Sequence, residues 1–101
     1  MAFEAMFQPI QIGKLTIRNR VLSTAHAEVY ATDGGMTTDR YVKYYEEKAK
    51  GGIGLAICGG SSSVAIDSPQ GWWKSVNLAD DRIIPHFQNL ADAMHKHGAK
   101  I

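Results

Sequence analysis

The residues best suited to chemistry lie in three short stretches. In Arg18-Asn19-Arg20-Val21-Leu22-Ser23-Thr24-Ala25-His26, a short apolar strand at 21–25 runs directly into a small polar tip. Small side chains and open backbone at Ser23, Thr24 and Ala25 let a flat ligand approach closely. His26 adds a ring that can donate, accept or titrate; a histidine at a strand end can equally be a satisfied structural residue. In the second stretch, Cys58-Gly59-Gly60-Ser61-Ser62-Ser63, the glycine pair permits close backbone approach but forms no Gly-x-Gly-x-x-Gly fingerprint. The third, Asp67-Ser68-Pro69-Gln70-Gly71-Trp72-Trp73, carries adjacent tryptophans. They could wall a pocket, hold a cationic methylated amine by cation–π attraction, or anchor their loop to the scaffold.

Other reactive residue types read as structural. Cys58 sits in an apolar run and reads as a small core residue, while His86, His95 and His97 lack a cysteine partner or a His-Glu-x-x-His pattern. These histidines are expected at the solvent side or at helix ends. No metal-ligand set is assigned, and no side chain is singled out as catalytic.

The elements that must position these residues follow from periodicity. Residues 8–17 alternate apolar and polar around Gly13-Lys14, which predicts a β-hairpin with Ile10, Ile12, Leu15 and Ile17 on its buried face. The runs at 21–25 and 54–58 are continuously apolar in part, as strands covered on both faces are. Thr38 and Asp39 open a helix predicted over 38–50, with Tyr41, Tyr45 and Ala49 inward, Val42 and Tyr44 alongside, and Lys43, Glu46, Glu47, Lys48 and Lys50 toward water. A long connection over 64–78 leads to a helix predicted over 82–97, capped by Asp80-Asp81, with Ile83, Phe87, Leu90, Ala91 and Met94 as its core stripe. Ala99-Lys100-Ile101 then looks like the opening of a third strand. The order hairpin, strand, helix, strand, helix, strand implies an α/β fold with right-handed βαβ units and a parallel sheet. A strand begun and left after about three residues implies that the 101 residues are the N-terminal part of a longer (β/α)8 barrel, which needs about 250 residues.

Composition narrows the function classes. Eleven Lys and Arg against ten Asp and Glu, a net charge of +1, give no electrostatic case for nucleic acid or an acidic surface. A single cysteine leaves no internal disulfide and fits a reducing, cytoplasmic compartment. No secretory leader pattern opens the chain, and no run approaches the ~18 apolar residues of a membrane span.

Together these residues resemble the old yellow enzyme class of flavin oxidoreductases over essentially the whole chain. The likeness rests on Met6-Phe7-Gln8-Pro9-Ile10-Gln11-Ile12-Gly13-Lys14-Leu15, Arg18-Asn19-Arg20-Val21, Gly52-Ile53-Gly54-Leu55-Ala56-Ile57 and His95-Lys96-His97-Gly98-Ala99-Lys100-Ile101, in that order and spacing. Ala25-His26-Ala27 and Cys58-Gly59-Gly60 resemble the multidomain branch that includes 2,4-dienoyl-CoA reductase and trimethylamine dehydrogenase. Overall similarity is greatest to bacterial demethylases of N-methylated amino acids, the dimethylglycine type.

The resemblance implies an FMN-binding TIM barrel whose N-terminal hairpin (8–17) closes the barrel bottom, with two βα units and the start of a third strand in residues 1–101. It implies that Ser23, Thr24, Ala25 and Gly60 lie near the flavin ring. His26, at a position where some relatives carry a flavin-tuning cysteine, is placed beside flavin or substrate, and the cation–π reading of Trp72 and Trp73 adds them to the same pocket. Ala27 matches the cysteine that links the flavin covalently in trimethylamine dehydrogenase, so the FMN is expected to be non-covalent. A 4Fe-4S cluster and a second nucleotide or FAD site are implied only for the parent protein beyond Ile101, as is the flavin phosphate site. The 101 residues alone are therefore expected to be inactive. The activity implied is oxidative N-demethylation of a methylated amine or amino acid such as dimethylglycine. The alternatives are an NAD(P)H-dependent enone or 2,4-dienoyl-CoA reductase and a non-redox α/β binding module. The expected partners are a small-molecule substrate and, for the parent protein, an electron-transfer partner or a second copy, with neither nucleic acid nor membrane.

Overall fold

A computed structural model of the chain describes residues 2–68 and 73–101. After a 3-10 turn at Glu4–Phe7, strands β1 (Ile10–Ile12) and β2 (Leu15–Ile17) pair antiparallel, Ile10 with Ile17 and Ile12 with Leu15. Gly13, at φ 57°, supplies the positive φ that a two-residue hairpin loop requires at its first position. The register puts all four predicted apolar residues on one face, but only Ile17 is covered, at 2% exposure. Ile12 and Leu15 remain 54% and 42% exposed. This corrects the expectation of a wholly buried face: Ile17 abuts Gly54, whereas Ile10 and Ile12 open onto an apolar hollow shared with Val21, Leu22 and Leu55.

Strands β3 (Leu22–Ser23) and β4 (Leu55–Ala56) lie side by side and parallel, with Leu22 opposite Leu55 and Ser23 opposite Ala56. The predicted third strand is present as a parallel bridge: Ala56 N–H donates to Lys100 O and Lys100 N–H to Gly54 O, each at 2.9 Å. Both strands are shorter than the predicted runs, and they are not covered on both faces. Ala56 is 1% exposed on the helix side, while Leu22 and Ile57 are 48% and 47% exposed on the other. Helices cover one face only.

Helix α1 spans Asp39–Lys50 and α2 spans Ile83–His95. Thr38 caps α1, its hydroxyl accepting from Tyr41 N–H at 3.2 Å and donating to Tyr30 O. Asp80 holds the approach to α2 by accepting from the Arg82 backbone and side chain at 2.9 and 2.7 Å. Tyr41, Tyr45 and Ala49 of α1 pack with Leu90 and Met94 of α2 over Ala56, Val76 and Ala99, forming the core. The helices are packed against each other and shifted by only a residue or two from the predicted bounds. Glu46 and Lys48, predicted to face water, are half-buried because each has a distant polar partner.

At the base of the strands, Arg18 joins three segments. Its guanidinium donates to Ala49 O at 2.8 Å, to Ile53 O at 2.9 and 3.1 Å and to His97 O at 2.6 Å. Helix C-termini leave carbonyls without intrahelical donors, and a cation there complements the helix dipole. Asn19 completes the base by donating to Gly52 O at 2.7 Å and accepting from Val21 N–H at 3.1 Å. The long connection is pinned at both ends to neighbouring backbone, with Leu78 N–H on Ser63 O at 2.8 Å and Asn77 N–H on Gly35 O at 2.9 Å. No helix among the described residues is long and apolar enough to cross a membrane.

Candidate functional site at the strand tips

The C-terminal ends of β3 and β4 come together as a backbone platform. Ile57 N–H donates to Ser23 O and His26 N–H to Gly59 O, each at 2.9 Å. Gly60, at φ 110°, lies so close to the first tip that a Cβ would come within 2.5 Å of His26 carbonyl carbon. Only glycine fits there, for space and for backbone conformation alike. Val29 adopts φ 52° and Ser61 φ 59°, conformations that a β-branched residue such as valine seldom takes. Such strain concentrates at functional loops. Thr24 and Ala25 are exposed at the tip and carry nothing bulky.

Three side chains on one face of α1 reach the first tip at successive points. Lys48 Nζ donates to Ser23 Oγ at 2.8 Å, Tyr44 Oη meets His26 Nε2 at 2.6 Å, and the Tyr45 hydroxyl donates to Glu28 Oε1. His26 Nδ1 lies 2.9 Å from Thr24 O. A carbonyl only accepts, so Nδ1 carries the proton, and in the neutral ring Nε2 accepts from Tyr44. Both ring nitrogens are thus engaged by the protein, and the imidazole fixes the curve of the tip.

Glu28 is 8% exposed. Burial pushes its carboxyl above the ordinary value, opposed by a backbone hydrogen bond and by nearby His26, Tyr41 and Lys48. The same burial, reinforced by the Glu28 charge, raises the Tyr41 hydroxyl and the Cys58 thiol. A thiol so held is a poor nucleophile, which fits Cys58 as a half-buried packing residue.

The tip therefore brings together Ser23, Thr24, Ala25, His26 and Gly60. Trp73 is 70% exposed, with its face covered by Lys74 Nζ at 4.4 Å. Trp72 lies outside the described residues. His97 bonds Glu46 across the helix pair at 2.9 Å, and His95 is exposed. Among the described residues no group of three or more His, Cys, Asp or Glu is placed to hold a metal. Glu28, Tyr44 and Lys48 were not legible as site residues. A lone acid in a loop has no periodic signal, and helix patterning assigns every lysine to water.

Parallel strands joined through helices, with a glycine-edged platform at their C-terminal tips and a hairpin before them, define an α/β fold. The family model for the NADH:flavin oxidoreductase / NADH oxidase family matches residues 5–101, and the chain belongs to that family. It is 81% identical over its full length to an N,N-dimethylglycine/sarcosine dehydrogenase of Chromohalobacter salexigens, covering 15% of that protein. A multifunctional alkene reductase/demethylase of Caballeronia cordobensis is 40% identical over 97% of the chain and 14% of the relative. Among solved structures, a 2-naphthoyl-CoA reductase in complex with 2-naphthoyl-CoA superposes with a TM-score of 0.87 at 30% identity, over 96% of this chain and 14% of that one. The chain thus spans about 15% of the length of these curated relatives.

Proposed function

We propose that the chain is the N-terminal part of an FMN-dependent oxidoreductase that demethylates an N-methylated amino acid such as dimethylglycine. The 81% identity to a dimethylglycine/sarcosine dehydrogenase carries this reading. In it, residues 1–101 form the hairpin, the first two βα units and the opening of the third strand of a (β/α)8 barrel, so ligands meet the strands' C-terminal ends. Ser23, Thr24, Ala25 and Gly60 would line the flavin ring: Thr24 and Ala25 are small and exposed, and Gly60 sets the second tip flush against the first. His26 acts from behind the platform, holding Thr24 O. Ala27 is exposed and has no nucleophile, so the FMN is held non-covalently. Trp72 and Trp73 remain candidates for a cationic substrate's wall, Trp73 once Lys74 moves off its face. No residue of this chain is assigned to an iron–sulfur cluster or a second nucleotide.

A bound FMN would supply the hydride acceptor. The substrate loses a C–H bond of its N-methyl group, the hydrogen leaving with the electron pair, and becomes an iminium. Water adds to that carbon, and collapse releases formaldehyde and the demethylated amine. The test is anaerobic addition of dimethylglycine to the yellow full-length protein. Bleaching with formaldehyde formed in proportion to flavin is expected. The likeness to an alkene reductase favours a second reading, hydride flow from NAD(P)H to an activated C=C bond. Bleaching by NAD(P)H with recovery by an enone, and none by methylated amines, would establish that reading instead. A colourless full-length protein would point to a binding module.

A further inference from the structure

We propose that Lys48 of α1, acting through Ser23, is a positioning and charge-setting residue that makes the strand tips electropositive and so raises the reduction potential of the flavin bound there. This deepens the proposed function and rests on it. The ammonium is held in an unusual way. Its hydrogen bond goes to Ser23 Oγ at 2.8 Å, and the faces of Tyr44 and Tyr45 lie 4.6 and 5.5 Å away. Aromatic faces and a hydroxyl attract a cation without cancelling its charge. Among the described residues no carboxylate lies within ion-pair distance of it. Lys50 and Lys96, by contrast, form ion pairs with Glu47 and Glu46.

The neighbouring acid Glu28 accepts from the Tyr45 hydroxyl. Burial raises its carboxyl while Lys48 is among the groups that act the other way, so the two feel each other's field without forming an ion pair. Half-burial protects the Lys48 field from the salt screening that silences exposed lysines. Ser23 matters because its side chain faces α1 while its backbone belongs to the platform, accepting from Ile57 N–H at 2.9 Å. The cation is therefore fixed directly behind the tip. A flavin gains negative charge on reduction, and a fixed cation in a partly buried setting favours the more negative form.

The experiment is a reduction-potential measurement on the FMN-bound full-length protein and its Lys48→Met, Lys48→Arg and Ser23→Ala variants, with visible spectra. Lys48→Met is expected to make flavin reduction about tenfold less favourable, which is ~30 mV for a two-electron couple. Lys48→Arg should restore most of the loss, and Ser23→Ala should give a smaller loss because the charge stays but its tether goes. Lys48→Gln replaces Met if packing is disturbed. An unchanged potential in Lys48→Met with FMN still bound would overturn the role of Lys48 and leave the flavoenzyme reading intact. Equal shifts in the Met and Arg variants would also overturn it, showing packing rather than charge. A wild-type protein that binds no FMN would overturn both.

Discussion

The two ends of the β3–β4 pair are built from similar parts for opposite purposes. At the base, Gly54 abuts Asn19, where a Cβ would meet its carbonyl oxygen at 2.6 Å. At the tip, Gly60 abuts His26 with the corresponding approach at 2.5 Å to the carbonyl carbon. Both ends use polar side chains to tie backbone together. At the base the ties are Arg18 and Asn19, and they close on helix C-terminal carbonyls and the turn that follows α1. At the tip the ties come from α1 and leave Thr24 and Ala25 exposed. The base is closed and serves stability; the tip is tied from behind and left open in front. This is the division of labour seen between the two faces of βα barrels.

The largest effect is expected at Arg18. Arg18→Ala removes charge-assisted hydrogen bonds to three carbonyls and should cost about 3 kcal/mol in denaturant unfolding of the full-length protein, with the visible spectrum of what remains folded unchanged. A loss under about 0.5 kcal/mol would show that the base is not held this way. Next is Thr38→Ala at the tip end of α1, which loses the N-cap and the bond to Tyr30 O and should cost about 1 kcal/mol by the same measurement.

A smaller effect, visible in its pH dependence, is expected at Glu28. Its carboxyl is raised by burial above the ordinary 4.5, so the folded state binds that proton more tightly than the unfolded state. The resulting stabilisation is complete below 4.5 and is lost as pH rises through the raised value. Glu28→Gln stays neutral and still accepts from Tyr45, so its unfolding midpoint should fall less than that of the wild type as pH rises from 4.5. Parallel pH profiles would contradict this. The smallest effect belongs to Glu46 at the base, whose carboxyl is lowered chiefly by the His97 hydrogen bond and then by Lys50 and Lys96. Its contribution is present above the ordinary carboxylate range and disappears as pH falls through the lowered value. Glu46→Gln should therefore differ from wild type at neutral pH and low salt, and converge with it in acid or in 1 M salt.

How much of this was legible in the sequence differs between the same two ends. Alternation in 8–17, the apolar runs around Leu22 and Leu55 and the spacing of Tyr41, Tyr45 and Ala49 carried enough pattern to place the hairpin, the parallel pair and α1. The closeness of His26 to Gly60 followed from both residues lying at strand ends. The ties were not legible. Arg18 bonds carbonyls 31, 35 and 79 residues away, and hydrogen bonds to backbone leave no trace in the partners' side chains. Lys48 looked like one more solvent-facing lysine because amphipathic patterning is blind to a side chain that bends back between two tyrosines. The exposure of Leu22 and Ile57 was missed for a related reason: an apolar run shows that a strand can be covered on both faces, not what covers it.

FMN titration of the full-length Gly54→Ala and Gly60→Ala proteins distinguishes a flavin held at the tip, as proposed, from one held at the base. Each added methyl strains backbone by a similar close approach, so both variants should lose stability. Gly60→Ala should weaken FMN binding at least tenfold while folded Gly54→Ala binds like wild type. Equal affinities in the two variants, or a loss confined to Gly54→Ala, would contradict a flavin held at the tip.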